Sequence, residues 1–270
     1  AETAGAETAG LATQMRHVFL LEDNARASVV ETFTGVPDSA YWNNLVRDMR
    51  CGPGADLDVM TLIDEGWGAV HTGHTDARIA RDSRLAQTSL LIGGTTTRHE
   101  VRVAVDGEGA EADLSGAYLG AQGQSFTVFT ELDHRVPHGR SSQLYRGVLD
   151  SGAHSAFQGR VIVREGAQKT DASQANHNLL LDRSAEADTK PELEIYADDV
   201  KCAHGATVGE LDDDMLFYLE SRGLDPETAR AMLVEAFVGE VIERVKNPDL
   251  REWIGSLAAH WMKRQGAALT

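Results

Sequence analysis

The sequence predicts a mainly β fold, a right-handed parallel β-helix followed by a small C-terminal α-helical subdomain. Two observations carry that expectation. The first is a period. Four small turn units, Asn24-Ala25-Arg26-Ala27, Gly54-Ala55-Asp56-Leu57, Asp82-Ser83-Arg84-Leu85 and Gly109-Ala110-Glu111-Ala112, have their second positions at 25, 55, 83 and 110. They therefore recur every 27 to 30 residues. Gly166-Ala167-Gln168-Lys169 falls about two periods later, whereas Gly152-Ala153 and Gly205-Ala206 repeat the dipeptide out of register. A loose repeat made of strands and turns is the mark of stacked coils, because one coil cannot bury its apolar face alone. Glycine serves the positive-φ corners between strands. An antiparallel sandwich would also give short strands and turns, but not a near-constant period. The second observation is a change of character near residues 198–210: short β-like runs precede this stretch and helical patterns follow it.

Taken in order, residues 1–10 are the unit AETAG written twice. They lack the basic and apolar regions of a signal peptide and do not start with Met, so they read as a disordered linker or the end of something removed. We set this tail at residues 1–15, the β-helix at 16–210 and the helical subdomain at 211–270. Strands are predicted at residues 17–21, 28–33, 59–63, 69–72, 90–92 and 101–105 by length and β-branched content. A first helix over residues 211–223 ends in Ser221-Arg222-Gly223, a capping pattern. Asp225-Pro226-Glu227 then supplies an N-cap, a proline at the first helical position and an acidic first turn. Met232, Leu233, Ala236, Phe237, Val241 and Val245 follow at helical spacing. Asn247-Pro248-Asp249 breaks that helix before a last one over 250–263. The simple role of these apolar faces is packing on the β-domain. A three-helix tail is also a natural docking surface.

Asp and Glu outnumber Lys and Arg 42 to 25, a formal charge of −17. Such a chain repels phosphate backbones, which argues against nucleic-acid binding. Two cysteines in 270 residues make no disulfide framework, and a reducing, cytoplasmic setting is expected. No apolar run reaches the ~18 residues of a membrane span.

Candidate chemistry centres on Asp198-Asp199-Val200-Lys201-Cys202-Ala203-His204-Gly205-Ala206-Thr207-Val208-Gly209. Cys202 and His204 have the elements of a soft metal site, but two ligands do not close one. The rest would come from elsewhere in the chain or from another protein. A buried Cys is more often an inert apolar residue, and a lone His a satisfied polar group. His71-x-x-His74-x-Asp76 is a weaker metal candidate, since solvated turn histidines explain it as well. His134 and His138 flank Pro137 and read as loop residues. The acids Asp198-Asp199 and Asp212-Asp213-Asp214 raise the alternative of a β-helix carbohydrate-active enzyme, which needs paired carboxylates in one cleft. Asp212–Asp214 sit where acids complement a helix start, so capping explains them better. No G-x-S-x-G, Walker A or dinucleotide fingerprint occurs.

Several stretches together resemble the SufD family of the SUF iron–sulfur cluster assembly machinery. They are Leu144-Tyr145-Arg146-Gly147-Val148-Leu149-Asp150, Gly159-Arg160-Val161-Ile162-Val163, Gly166-Ala167-Gln168-Lys169-Thr170-Asp171-Ala172 and Asn178-Leu179-Leu180-Leu181. Asp188-Thr189-Lys190-Pro191 and Leu193-Glu194-Ile195 then lead into Tyr196-Ala197 and the central motif. The likeness extends more weakly back to about Arg16 and forward through residues 217–223. Family members usually carry a largely helical N-terminal region before the β-helix, for which this sequence has no counterpart.

The resemblance implies a non-enzymatic scaffold without a stable cofactor of its own. It would pair with a SufB-like subunit through the β-helix and bind the ABC-type ATPase SufC through its C-terminal helices. His204 would be the interface histidine acting with a SufB cysteine on a nascent, shared Fe–S cluster, with Cys202 beside it. Leu211, Phe217, Met232, Phe237 and Val241 would be contacts in the ATPase dock. SufB itself is the near alternative, but it carries Glu-His where this chain has Ala203-His204, and more cysteines. A homodimer with two such motifs facing across a two-fold is a further arrangement.

Overall fold

The computed structural model describes residues 10–36 and 39–268, with side chains through Met262. The chain winds into seven coils of two strands each. They are β1 (Leu11–Leu21) and β2 (Arg26–Thr34); β3 (Tyr41–Cys51) and β4 (Asp56–Asp64); β5 (Val70–Ile79) and β6 (Arg84–Leu91); β7 (Thr96–Val105) and β8 (Glu111–Gly120); β9 (Ser125–His134) and β10 (Arg140–Leu149); β11 (His154–Val163) and β12 (Asp171–Leu180); β13 (Glu186–Ile195) and β14 (Lys201–Glu210). Three helices follow: α1 (Asp213–Ser221), α2 (Pro226–Ile242) and α3 (Pro248–Ala268).

Odd-numbered strands form one seven-stranded sheet in the order 1-3-5-7-9-11-13, and even-numbered strands form the other. The paired strands are parallel throughout, so the fold is the expected parallel β-solenoid. Its period ranges from 26 residues, Val70 lying beside Thr96, to 32, His154 lying beside Glu186.

The repeating turn unit has a physical basis. In six of the seven coils one residue takes a positive φ at the same edge: Asn24 (58°), Gly54 (68°), Asp82 (54°), Gly109 (71°), His138 (61°) and Lys169 (62°). Glycine, asparagine and aspartate tolerate that region best, which is why they recur there. The next residue is small, and Ala55, Ser83, Ala110 and Thr170 are buried. Gly166-Ala167 lies in this series of turns, but the left-handed residue there is Lys169. Gly152-Ala153 belongs to the opposite edge, where Gly152 also has a positive φ of 74°. Gly205-Ala206 is not a turn; it lies inside β14.

Residues alternate between the interior and the outside along each strand. Leu57, Leu85, Leu114, Val101, Val103, Phe126, Leu132, Tyr145, Phe157 and Val161 fill the interior. The early coils also hold a polar group there: the guanidinium of Arg47, 1% exposed, pairs with Glu31 and donates to Thr75 Oγ1 at 3.0 Å. On the even-numbered sheet the outer face is apolar too, with Met60, Leu62, Leu90, Leu119, Leu144 and Val148 covered by Val234, Val238, Val241, Ile242, Ile254 and Trp261. Helices α2 and α3 thus form a third layer. Arg146 fixes α2 by donating to Phe237 O at 2.8 Å, pairing with Glu240 and stacking over the Phe237 ring. Arg244 adds Asp113 at 2.8 Å and Ser142 at 2.9 Å.

Three expectations shift. Strand β1 starts at Leu11, so residues 11–15 belong to the solenoid and only residues 1–9 of the AETAG stretch lie outside the described residues. The buried stripe of α2 is Ala229, Val234, Val238, Val241 and Ile242, rotated from the apolar positions 232, 233, 236 and 237 read in the sequence. Helix α3 starts at Pro248, with Asn247 Oδ1 accepting from Asp249 N at 2.9 Å, and runs past residue 263.

Two consequences are measurable. Burial holds His99 at a pKa of about 3, with Arg47 and His71 adding repulsion, and holds His134 at about 4 against Asp133. Both folded values lie below the unfolded value near 6.5. Stability is therefore complete above about pH 6.5 and falls as pH drops, by about 1.4 kcal/mol per pH unit for each histidine. Denaturant titrations between pH 7 and 4.5 will show that loss, and His99→Gln will reduce the slope by about one proton. Trp261→Ala empties the helix–sheet seam and will cost about 3–5 kcal/mol in the same assay.

Candidate functional site

The last coil is where the solenoid stops. Strands β13 and β14 end the two sheets, so each pairs on one side only and leaves its other row of backbone N–H and C=O groups unpaired. In β14, Cys202 lies beside Ala172 and His204 beside Gln174 of β12. Ala172 and Gln174 are buried interior residues, so Cys202 and His204 stand on the interior-facing side of the final strand. With no coil beyond them, they face the open end.

Residues two apart on a strand share a face and lie about 6.7 Å apart along it, close enough for both side chains to reach one small inorganic centre. Cys202 is half-buried against the core, while His204 is exposed. Around them the same end exposes Ile195, Tyr196 and Val208. A thiol and an imidazole suit iron in a sulfur-rich setting. They remain two donors: among the described residues no group of three or more His, Cys, Asp or Glu is placed to hold a metal. The donor set fits a shared centre and not a site closed within this chain.

Burial raises the Cys202 thiol pKa, Asp171 adds to it, and a hydrogen bond with the Ala172 backbone pulls the other way. The thiol is therefore protonated at neutral pH and must lose its proton to bind iron. Cys51 lies inside β3, with its thiol pushed up to about 11 by burial and by Asp56. It is a core residue.

The other candidates separate. His71 points into the solenoid against Glu65, whereas His74, three residues on, points outward to Glu100 at 3.2 Å. Asp76 pairs with Arg50. Their strand placement puts His71 and His74 on opposite faces. His134 is buried and shares a hydrogen bond with Ser141 at 2.9 Å, and His138 occupies a turn corner. Asp199 pairs with Lys169, and Asp212 caps α1 by accepting from Asp214 N at 2.9 Å and Met215 N at 3.1 Å.

The apolar tail residues also divide. Val241 is buried against the sheet, Phe237 lies half-buried under Arg146, and Leu211 is half-buried at the seam. None of the three presents a free surface. Phe217 (73% exposed) and Met232 do, and Met215 and Tyr218, which sequence reasoning did not single out, join them. Helix α1 buries no residue at all, although Glu210, the last residue of β14, is separated from it only by Leu211 and Asp212. The sequence signal for it is the run Met215-Leu216-Phe217-Tyr218-Leu219, which carries apolar residues more than one turn around the helix.

This is an open-ended β-solenoid with Cys202 and His204 on one face of an unpaired edge strand. Residues 3–237 match the family described as "SUF system FeS cluster assembly, SufBD core domain", and the chain belongs to that family. It is 34% identical over 239 residues to the iron–sulfur cluster assembly protein SufD of Escherichia coli, covering 88% of this chain and 56% of that protein. It is 34% identical over 256 residues to the chloroplastic protein ABCI7 of Arabidopsis thaliana, covering 93% and 54%. SufD of Bacillus subtilis is 26% identical over 254 residues, covering 92% and 57%. The chain thus spans about half the length of the curated relatives it matches. Among the described residues no helix is long and apolar enough to cross a membrane.

The two thiols give a direct test. Iodoacetamide labelling followed by mass spectrometry will modify Cys202 before Cys51. The Cys202 rate will rise about tenfold per pH unit from pH 7 to 9, because the thiolate is the nucleophile and its pKa lies above that range. Equal labelling of both thiols would contradict the burial pattern.

Proposed function

We propose that this chain is a SufD-like scaffold subunit that assembles an iron–sulfur cluster together with other chains and catalyses no reaction of its own. The observation that carries the reading is the placement of Cys202 and His204 side by side on the unpaired edge of the solenoid. A SufB-like chain adding its strands to β13 and β14 would satisfy the free backbone groups, cover Ile195 and Val208, and bring the missing ligands. The forming cluster is cargo at that junction. His204 offers an imidazole nitrogen to it, and Cys202 a sulfur once its proton has left. A second copy of this chain would present the same two residues, but it carries the same net charge of −17 and is the less favourable partner.

The exposed apolar face of α1, with Met232 of α2, is the dock for a SufC-like ATPase. Because α1 follows β14 after only two residues, movement of the dock is delivered to the strand that carries the site. Helices α2 and α3 stay anchored on the even-numbered sheet through Arg146, Arg244 and Trp261, which gives that movement a fixed support. These partners belong to the cytoplasmic SUF system.

Co-purification with SufB and SufC counterparts under anaerobic conditions tests the proposal. The complex will form with His204→Ala as it does with the unsubstituted chain, while bound iron and sulfide will fall several-fold. Equal iron and sulfide in both would make His204 a structural residue. In the same assay Phe217→Glu, which buries nothing here, will lose the ATPase and leave the chain folded and paired. Retention of the ATPase would remove α1 from the dock.

A further inference from the structure

Directly beneath His204 lies a buried amide with nothing to bind. Gln143, Gln174 and His204 occupy one interior column on β10, β12 and β14, with Gln143 beside Gln174 and Gln174 beside His204. Gln174 is 3% exposed, yet neither its amide oxygen nor its amide nitrogen has a hydrogen-bond partner. Its neighbours on the same strand behave differently. Asn176 donates to Tyr118 Oη at 2.9 Å, and Asn178 donates to Asn176 Oδ1 at 2.8 Å. Of three buried amides in β12, only the one under the candidate ligand is left open.

The space around Gln174 is shaped for it. Gly159, on the opposite wall, would place an added Cβ 2.1 Å from Gln174 Nε2, so a larger residue there would push the amide aside. A buried, unpartnered amide is costly and is retained where it has a polar partner to meet. Two coils before Gln143 in the same column, Gln87 also meets a histidine, there through its amide nitrogen, which lies 3.3 Å from Nε2 of His99 and donates to it.

Resting on the assignment of His204 as the interface ligand, we infer that Gln174 is its positioning residue. The amide oxygen accepts a hydrogen bond from one ring N–H of His204, which fixes the tautomer and turns the other nitrogen toward the open end. A metal-binding histidine is ordinarily held in this way by an acceptor on its second nitrogen. His204 stands next to Gln174 in register, so the contact forms by rotation of the two side chains without any shift of the strands. Gln174 touches no cargo itself.

The test reads the ring and not the cluster. In the full 270-residue chain without metal, at a pH where imidazole is neutral, nitrogen NMR of labelled histidine will show His204 predominantly in one tautomer. Gln174→Met, of similar length and without polar atoms, will leave the melting temperature unchanged or higher and will return His204 to the mixed tautomers of a free histidine. An averaged His204 in the unsubstituted chain overturns the inference without any variant having to fold. An unchanged tautomer in Gln174→Met overturns it as well. Failure here is distinct from failure of the scaffold reading, because that reading is judged by iron and sulfide in His204→Ala.

Discussion

Parallel stacking imposes one requirement on every coil: its backbone N–H and C=O groups are satisfied only by the coils on either side. Twelve strand pairings meet that requirement along the two sheets, and the structure depends on them. The requirement fails at the ends. At the C-terminal end the failure falls on β13 and β14, and β14 carries Cys202 and His204 on its interior-facing side. Interior positions elsewhere are filled by Leu, Val and Phe, with buried polar groups such as Arg47 and Asn176 among them. In the last coil the same positions become surface, so residues placed by the logic of a core are available for chemistry. An unpaired edge is ordinarily a hazard for aggregation. Here it coincides with Cys202 and His204, and in the proposed function one added chain covers the edge and supplies the further ligands.

The helical layer changes the outer face of one sheet and not the other. Met60, Leu90, Leu119 and Val148 face outward and would form an exposed apolar patch without α2 and α3. The odd-numbered sheet carries ion pairs outside instead, such as Asp133 between Arg135 and Arg164. This asymmetry fixes where the helices sit. It also leaves α1 as a short helix with no buried face between the anchored layer and the open edge. The site and the exposed helix are thus consecutive in the chain.

Much of the architecture was legible because the corner chemistry is local. A positive φ selects Gly, Asn or Asp whatever lies around it, so Asn24, Gly54, Asp82 and Gly109 announce the period. Strand β3 was not legible, because its interior positions include Asn43 and Arg47, which break the apolar alternation. Strands β12 and β14 hide for the same reason: Gln174, Asn176, Asn178 and His204 face inward where an apolar residue is expected. Cys202-x-His204 was readable as a pair of donors, and its incompleteness was readable too. That the two share one face of an edge strand is a consequence of register with β12, which no single sequence displays. Gln174 became visible only after the coil length placed it 30 residues before His204. On α2 apolar residues occur on too many faces to choose between, and the outer face of the sheet decides that Val234 and Val238 are buried while Met232 is exposed.

The central claim is that the C-terminal end of the solenoid is completed by another chain. Amide hydrogen exchange on this chain, alone and mixed with a SufB-type partner, tests it most directly. Fast exchange is expected across residues 201–210 in the isolated chain, with strong new protection there, and over 186–195, when the partner is added. Protection confined to β1 and β2, or unchanged exchange in β14 within a complex that does form, would contradict it.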